Sequence, residues 1–247
     1  MAILLVSGRK ISTELVIFDK DGTLIDFKET WITIIQSLIT AMGRHVHLTP
    51  GLKDRVQKAL GISVEKREID GYGPLAMGTF TECDALLTYC LYREGVRWDN
   101  AQSIVKSLGE EIFRSDIRKK SIRPAKGAIE LLVRLKNKGI PTAVATNDKE
   151  EDARTDVNII GAGDYIDLVV GADSVSQSKP APDMVNKICN HFKIDPSNTV
   201  LIGDTVMDAI LGRNSGVGLT IGITGIVSRE ILQEHMDVVL DSLDEII

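Results

Sequence analysis

The sequence is poor in cysteine and in long apolar runs, and each shortage excludes a class of protein. Only 3 of the 247 residues are cysteines and none forms a CxxC pair, which argues against a disulfide framework and a thiolate zinc site. No stretch approaches the roughly 18 unbroken apolar residues of a membrane span. The apolar segment from Ile3 to Val6 is too short for the core of a signal peptide. We therefore expect a soluble, cytoplasmic protein with no membrane partner.

The chain also lacks an excess of positive charge. Its 35 acidic residues outnumber 29 basic ones, for a formal net charge of -6. A protein that binds nucleic acid needs a basic surface to neutralise phosphates, so we expect no nucleic-acid partner. The hydrophobic share of 43% is ordinary for a globular protein. At this length the chain can bury a large core without disulfides or a structural metal.

The pattern of apolar segments predicts an α/β domain with an insertion. Two strands, Ala2 to Val6 and Glu14 to Phe18, flank a polar stretch with Ser7 to Lys10 as a turn candidate. After Pro124 apolar strands alternate with helical segments, which indicates a mainly parallel sheet with helices on both faces. We predict a Rossmann-like α/β core domain of residues 1–25 and 116–247, with an all-helical domain of residues 26–115 inserted into it.

Polar groups of one chemical character follow three of the predicted strands. They are Asp19 and Asp21 after the first, Thr146 and Asn147 after the second, and Asp204 with Asp208 after the third. Lys179 lies in a loop before a later helix. Ligands of open α/β sheets bind beyond the carboxyl ends of the strands, so we expect these groups to converge.

The chemistry of such a cluster demands cations. Two carboxylates about 4 Å apart repel each other by about 4 kcal/mol at an effective dielectric constant of about 20. Several acids in one crevice must therefore bind protons or metal ions. Oxygen ligands without a nearby histidine or cysteine favour a hard ion such as Mg2+. Together with Lys179, which suits a phosphate, they predict a site for phosphoryl transfer.

Each of these residues has a simpler interpretation when it is taken alone. Asp21 and Gly22 are a strong signal for a hairpin turn. Asp204 and Asp208 suit the first turn of a helix, Thr146 and Asn147 suit a helix cap, and Lys179 suits an exposed surface. However, all of these residues occur together in this order, and the acids and Thr146 come directly after apolar strands. This joint occurrence favours a shared site.

The motifs resemble those of the haloacid dehalogenase-like (HAD) hydrolase superfamily. The matching segments are Phe18 to Leu24, Thr146-Asn147, Lys179-Pro180, and Gly203 to Thr205 with Asp208. The insertion, together with its segment Gly73 to Thr79, is similar to the helical cap of the phosphoglycolate phosphatase-like branch. The resemblance covers essentially the whole chain.

The resemblance implies a role for each matched residue. Asp19 would be the nucleophile, and Asp21 the general acid and then base. Lys179 would stabilise the charge of Asp19 and of the phosphoryl group. Phosphoryl oxygens would be held by Thr146 and Asn147, and Mg2+ by Asp19, the backbone carbonyl of Asp21, Asp204 and Asp208, the last directly or through water.

The resemblance therefore implies a Mg2+-dependent phosphatase that forms an aspartyl-phosphate on Asp19. Its expected partner is a small phosphorylated metabolite similar to phosphoglycolate or a sugar phosphate, and the protein is expected to be a monomer or homodimer. Two alternatives stay open: a sugar phosphomutase, and a weakly catalytic domain that binds a phosphorylated ligand. Lys20 departs from the family, in which this position is more often apolar, and we expect it to point to solvent.

Overall fold

The computed structural model describes residues 2–114 and 116–247, and the chain divides into two compact units. The core unit comprises Met1–Phe27 and Arg123–Ile247, and the inserted unit comprises Lys28–Ile122. The boundary predicted at 115–116 falls at Ser115, which lies outside the described residues. The inserted unit continues beyond it to Ile122.

Strands occur in both units. The described residues form β1 (Ala2–Val6), β2 (Arg9–Thr13), β3 (Leu15–Phe18), β4 (Ile62–Ser63), β5 (Glu68–Ile69), β6 (Thr142–Ala145), β7 (Leu168–Val170), β8 (Thr199–Gly203), β9 (Leu219–Ile223) and β10 (Val238–Leu240). Six of them form one sheet in the order β10-β9-β8-β3-β6-β7, and every neighbouring pair is parallel. The predicted fold class, a parallel-sheet core with a helical insertion, is confirmed.

Helices of the inserted unit precede those of the core in the chain. The former are α1 (Phe27–Met42), α2 (Pro50–Leu60), α3 (Pro74–Met77), α4 (Phe80–Arg93), α5 (Trp98–Arg114) and α6 (Asp116–Ser121). The latter are α7 (Ala128–Asn137), α8 (Glu150–Ile159), α9 (Asp183–Phe192), α10 (Val206–Ser215) and α11 (Arg229–Gln233). Among the described residues, no helix combines the length and apolar character that crossing a membrane requires.

The central strand β3 is fully buried, as its unbroken apolar sequence predicts. Leu15 and Ile17 belong to a core cluster that also contains Met184 and Ile188 from α9. Strands β6 and β8 flank β3, so that Phe18 is paired with Val144 on one side and with Ile202 on the other. Because all three strands run in the same direction, the loops that follow them leave the sheet at the same edge.

The two chain segments that connect the core to the insertion are joined by backbone hydrogen bonds. The N–H of Asp26 donates to the carbonyl of Arg123 at 2.9 Å, and the N–H of Ala125 donates to that of Leu24 at 2.8 Å. Ile25 and Pro124 form an antiparallel bridge between these bonds. The chain therefore leaves the core and returns to it at one place.

Two local features differ from the sequence prediction. The polar stretch after β1 is itself a strand, β2, which pairs with β1 in an antiparallel hairpin. Its turn consists of Ser7 and Gly8, both with positive φ (48° and 75°), the backbone of a two-residue hairpin turn. The inserted unit contains a small hairpin of β4 and β5 in addition to its helices. Thr79 and Glu82 form a capping box at the start of α4.

Candidate active site

The loop after β3 carries the first two candidate acids. The N–H of Asp19 donates to the carbonyl of Ile202 at 2.7 Å, which fixes this residue beside the end of β8. Gly22 has a φ of 93°, and its N–H donates to the carbonyl of Ile25 at 2.8 Å. The hairpin interpretation of Asp21-Gly22 is wrong, because both sheet partners of β3 are parallel and come from distant parts of the chain.

Lys179 joins two of the acids. Its Nζ lies 2.6 Å from Oδ1 of Asp19 and 2.6 Å from Oδ1 of Asp208. The residue is buried, with 6% of its surface exposed, so the interpretation as an ordinary surface lysine is wrong. Burial opposes its charge, but Asp19 and then Asp208 outweigh this effect and raise the pKa of Lys179 above its usual value. The ammonium is therefore charged at neutral pH.

A third acid completes a group suited to a cation. Asp19, Asp204 and Asp208 each place a carboxylate oxygen within 4.8 Å of the others. Asp204 is completely buried, and neither of its carboxylate oxygens has a hydrogen-bond partner among the described residues. A buried carboxylate without a partner is costly. A hard divalent ion would satisfy these oxygens, so the residues fit the Mg2+ that the sequence resemblance implies.

The pKa values of these acids also indicate a site for a metal ion. Burial raises the pKa of Asp19 to about 7, with Lys179 opposing and Asp208 adding to the increase. Burial also raises the pKa of Asp204 well above its usual range, and the charges of Asp19 and Asp208 raise it further. Since a cation would favour the ionised form of each group, the arrangement suits a metal better than it suits the metal-free acids.

The two carboxylate oxygens of Asp208 have different partners. Thr205 donates to Oδ2 of Asp208 from its N–H at 3.2 Å and from its hydroxyl at 2.7 Å, which forms a capping box at the start of α10. Oδ1 remains directed at Lys179. The first-turn interpretation therefore describes part of the role of Asp208, whereas Asp204 precedes the helix.

Two glycines allow the acids to approach the backbone closely. A Cβ atom on Gly22 would overlap the carboxylate of Asp204, and one on Gly203 would overlap the carboxyl group of Asp208. Any larger residue at either position would displace one of the two acids. The glycines of the first and last motifs are therefore required by the packing of the site.

Thr146 and Asn147 lie at the end of β6, next to β3 in the sheet. Thr146 is buried, its N–H donates to the carbonyl of Val170 at 3.1 Å, and its hydroxyl accepts from the N–H of Asp148 at 3.2 Å. The amide of Asn147 contacts the sulfur of Met207 at 3.4 Å. The helix-cap interpretation is wrong, because α8 begins only at Glu150 and its N-cap residue is Lys149.

Lys20 does not point to solvent, so that expectation is wrong. Only 1% of the residue is exposed, and its Nζ lies 2.6 Å from Asp21, 2.9 Å from Asp148 and 2.8 Å from Asp156. Burial opposes its charge, but the three aspartates raise the pKa of Lys20 well above its usual value. Sequence reasoning missed Asp148 and Asp156 as partners of Lys20.

Comparison with known proteins adds independent evidence. A family model described as haloacid dehalogenase-like hydrolase matches residues 13–216. The chain is 25% identical over 250 residues to N-acetylmuramic acid 6-phosphate phosphatase of Pseudomonas aeruginosa, covering 97% of this chain and 95% of that protein. It is 26% identical over 215 residues to phosphoglycolate phosphatase of Aquifex aeolicus, covering 86% and 85%.

Solved structures show the same fold. A HAD family hydrolase from Deinococcus radiodurans R1, crystallised with bound phosphate and sodium, superposes with a TM-score of 0.63 at 18% identity. The match covers 95% of this chain and 93% of that one. The likeness therefore extends over both units.

Proposed function

Because this chain belongs to the haloacid dehalogenase-like hydrolase family, we propose that it is a Mg2+-dependent phosphatase that hydrolyses a small phosphomonoester through an aspartyl-phosphate on Asp19. The substrate class is a compound similar to phosphoglycolate or to a sugar phosphate, as the names of the two relatives suggest. The observation that carries the proposal is the buried carboxylate of Asp19, which lies 2.6 Å from the ammonium of Lys179. Next to it, the unpartnered carboxylate of Asp204 supplies a ligand for a cation.

The metal would be held by carboxylates of Asp19, Asp204 and Asp208, with the backbone carbonyl of Asp21 as a further ligand. When bound, Mg2+ supplies positive charge that screens the phosphoryl oxygens from the nucleophile. This charge would also lower the pKa of Asp19 from about 7, so that Asp19 would attack as the ionised carboxylate at neutral pH.

In the first half of the reaction Asp19 attacks phosphorus while the bond to the leaving oxygen breaks. Asp21, as a carboxylic acid, gives its proton to the departing oxygen, so that an alcohol leaves rather than an alkoxide. Lys179 holds Asp19 in place and offsets the negative charge of the phosphoryl group. The hydroxyl of Thr146 and the amide of Asn147 orient the phosphoryl oxygens from the end of β6.

In the second half Asp21 acts in the opposite sense. Its carboxylate takes a proton from water as the water oxygen attacks the phosphorus of the aspartyl-phosphate, which releases phosphate and restores Asp19. One acid therefore serves both halves, and the side chain of Asp21 is 14% exposed, which allows water to reach it.

The direct test is phosphate release from a panel of phosphomonoesters, including 2-phosphoglycolate and sugar phosphates, with Mg2+ and with EDTA. We expect release from a subset of the panel with Mg2+, and a loss of at least about 100-fold with EDTA. Calcium instead of Mg2+ is a useful control, because its larger and more flexible coordination shell fits the same oxygens less precisely. Absence of release across the panel would contradict the proposed function.

The pKa of Asp19 leads to a prediction about pH. Its pKa rises from 3.8 to about 7 on folding without metal, so the folded state holds a proton that the unfolded state has lost between these values. The metal-free protein should therefore lose stability as pH rises through this range. Mg2+ binds only the ionised acids, so its addition should raise Tm more at pH 8 than at pH 6. Calorimetry at both pH values tests this; equal Tm shifts would contradict it.

A further inference from the structure

A second cluster of buried charges lies beside the first. The ammonium of Lys20 lies within 2.9 Å of carboxylate oxygens of Asp21, Asp148 and Asp156. These partners come from three places: the loop after β3, the loop after β6, and helix α8. Lys20 therefore links the acid assigned to proton transfer with the loop of Thr146 and Asn147 and with a helix that packs against the sheet.

The arrangement is unlike one that serves stability alone. Burying an ammonium is energetically costly even after relaxation, and a buried ion cluster is often no more stable than an apolar replacement. The ammonium of Lys20 donates a hydrogen bond to Oδ2 of Asp156 at 2.8 Å and forms ion pairs with Asp21 and Asp148, and these three contacts leave it little freedom to move. Asp148 and Asp156 therefore hold the ammonium, and the ammonium in turn holds Asp21.

Two of the three partners have access to solvent: the side chains of Asp21 and Asp148 are 14% and 13% exposed, whereas that of Asp156 is 3% exposed. Of these two, Asp21 is the acid assigned to proton transfer. A proton-transferring carboxylate must lie within hydrogen-bond reach of the leaving oxygen and later of water. One oxygen of Asp21, Oδ2, is fixed at 2.6 Å from Nζ of Lys20, and this contact limits the directions in which the other oxygen can point.

We propose that Lys20 is a positioning residue for Asp21, anchored by Asp148 and Asp156, and that it acts on the proton transfer to the leaving group. The proposal rests on the proposed function, because it assigns Lys20 a part in the same reaction. Lys20 takes up no proton in this scheme: the proton moves from Asp21 to the oxygen whose bond to phosphorus breaks, as the bond from Asp19 to phosphorus forms.

The test compares leaving groups in Lys20→Met, which removes the ammonium but keeps an unbranched side chain. An alkyl phosphate needs a proton on its leaving oxygen, whereas the phenolate of p-nitrophenyl phosphate leaves without one. We expect kcat/KM to fall by about 30-fold or more for the alkyl substrate and by less than about 3-fold for p-nitrophenyl phosphate. The ratio kcat/KM is used because it reports only the steps up to departure of the first product.

A double-mutant cycle with Asp21→Asn tests whether Lys20 acts through Asp21. Once Asp21 has lost its acid function, adding Lys20→Met should lower alkyl-phosphate kcat/KM by less than about 3-fold.

If Lys20→Met does not fold, Asp156→Asn is the deciding variant, because it weakens the contact that holds Lys20 while both Lys20 and Asp21 remain. It should give the same dependence on leaving group with a smaller loss. Lys136→Met, an exposed lysine of the core unit, is the control that should change neither substrate.

The outcomes separate failure of this proposal from failure of the proposed function. The role of Lys20 would be overturned if Lys20→Met lowered kcat/KM equally for the two leaving groups. It would also be overturned if the losses from Lys20→Met and Asp21→Asn simply multiplied in the double mutant. In either case, hydrolysis by the wild type would still support the proposed function. No hydrolysis by the wild type would overturn both. Selective loss with the alkyl substrate, abolished in the Asp21→Asn background, would establish the positioning role.

Discussion

Replacing Asp19 with asparagine should lower phosphate release by at least about 10,000-fold. The amide is a far weaker nucleophile than the carboxylate, and in the proposed reaction Asp19 forms the bond to phosphorus. The variant should still fold, because Lys179 keeps its contact with Asp208 at 2.6 Å and asparagine has nearly the same shape. Phosphate release under saturating Mg2+, with circular dichroism to verify the fold, measures the effect.

The control for this variant is Asp164→Asn, the same chemical change at an exposed position of the core unit. It should retain full activity. Rapid quenching of the wild-type reaction should also place a phosphoryl group on the peptide that contains Asp19, and the variant should lack it. Residual hydrolysis near the wild-type rate in Asp19→Asn would mean that water attacks phosphorus directly, and the aspartyl-phosphate would have to be abandoned.

Replacing Gly22 with alanine should lower Mg2+-dependent activity by at least about 100-fold, since small displacements in an active site have effects of this size. The added methyl group would overlap the carboxylate of Asp204 and would displace it from its place beside Asp19 and Asp208. The φ of 93° at Gly22 adds backbone strain. Activity and the rise in Tm on adding Mg2+ should fall together, because both depend on the position of Asp204.

Gly95→Ala separates strain from overlap. Gly95 has a similar φ of 87°, but apart from its chain neighbours no described atom lies within 4 Å of the added methyl group. This control should lose about 1–2 kcal/mol of stability and keep its activity and its response to Mg2+. If Gly22→Ala behaves in the same way as Gly95→Ala, then Asp204 does not need its present position to hold the metal.

The sequence predicts the strand-end residues well because their positions follow from local patterns. Asp19 comes directly after the fully apolar strand β3, and Asp204 comes directly after the largely apolar strand β8. Parallel strands bring their ends to one edge, so convergence follows from the fold class alone. The contact of Lys179 with both Asp19 and Asp208 confirms that part of the convergence. For Thr146 and Asn147, the structure gives the location at the adjacent strand end, and their role as phosphate ligands stays a prediction.

The environment of Lys20 depends on contacts that no local pattern encodes. Its partner Asp156 is 136 positions further along the chain and comes from a helix whose inner face is otherwise apolar, with Ala153 and Val157 buried beside it. The one sequence feature that indicates this contact is an acid on the apolar face of a helix, since a charge buried there needs a partner. The strand β2 was missed for a different reason: it is largely exposed, so its sequence has little apolar alternation.

The backbone bonds that join Leu24 to Asp26 with Arg123 to Ala125 have a consequence for how this chain can vary. In topological terms, the inserted unit is a single loop whose two ends are held together by these bonds. The entropy of closing a flexible loop grows only with the logarithm of its length, so that doubling the length adds about 0.6 kcal/mol. Large changes in the size of the insertion therefore change the free energy of unfolding of the core only slightly. The catalytic edge of the sheet can stay constant while the inserted residues diverge.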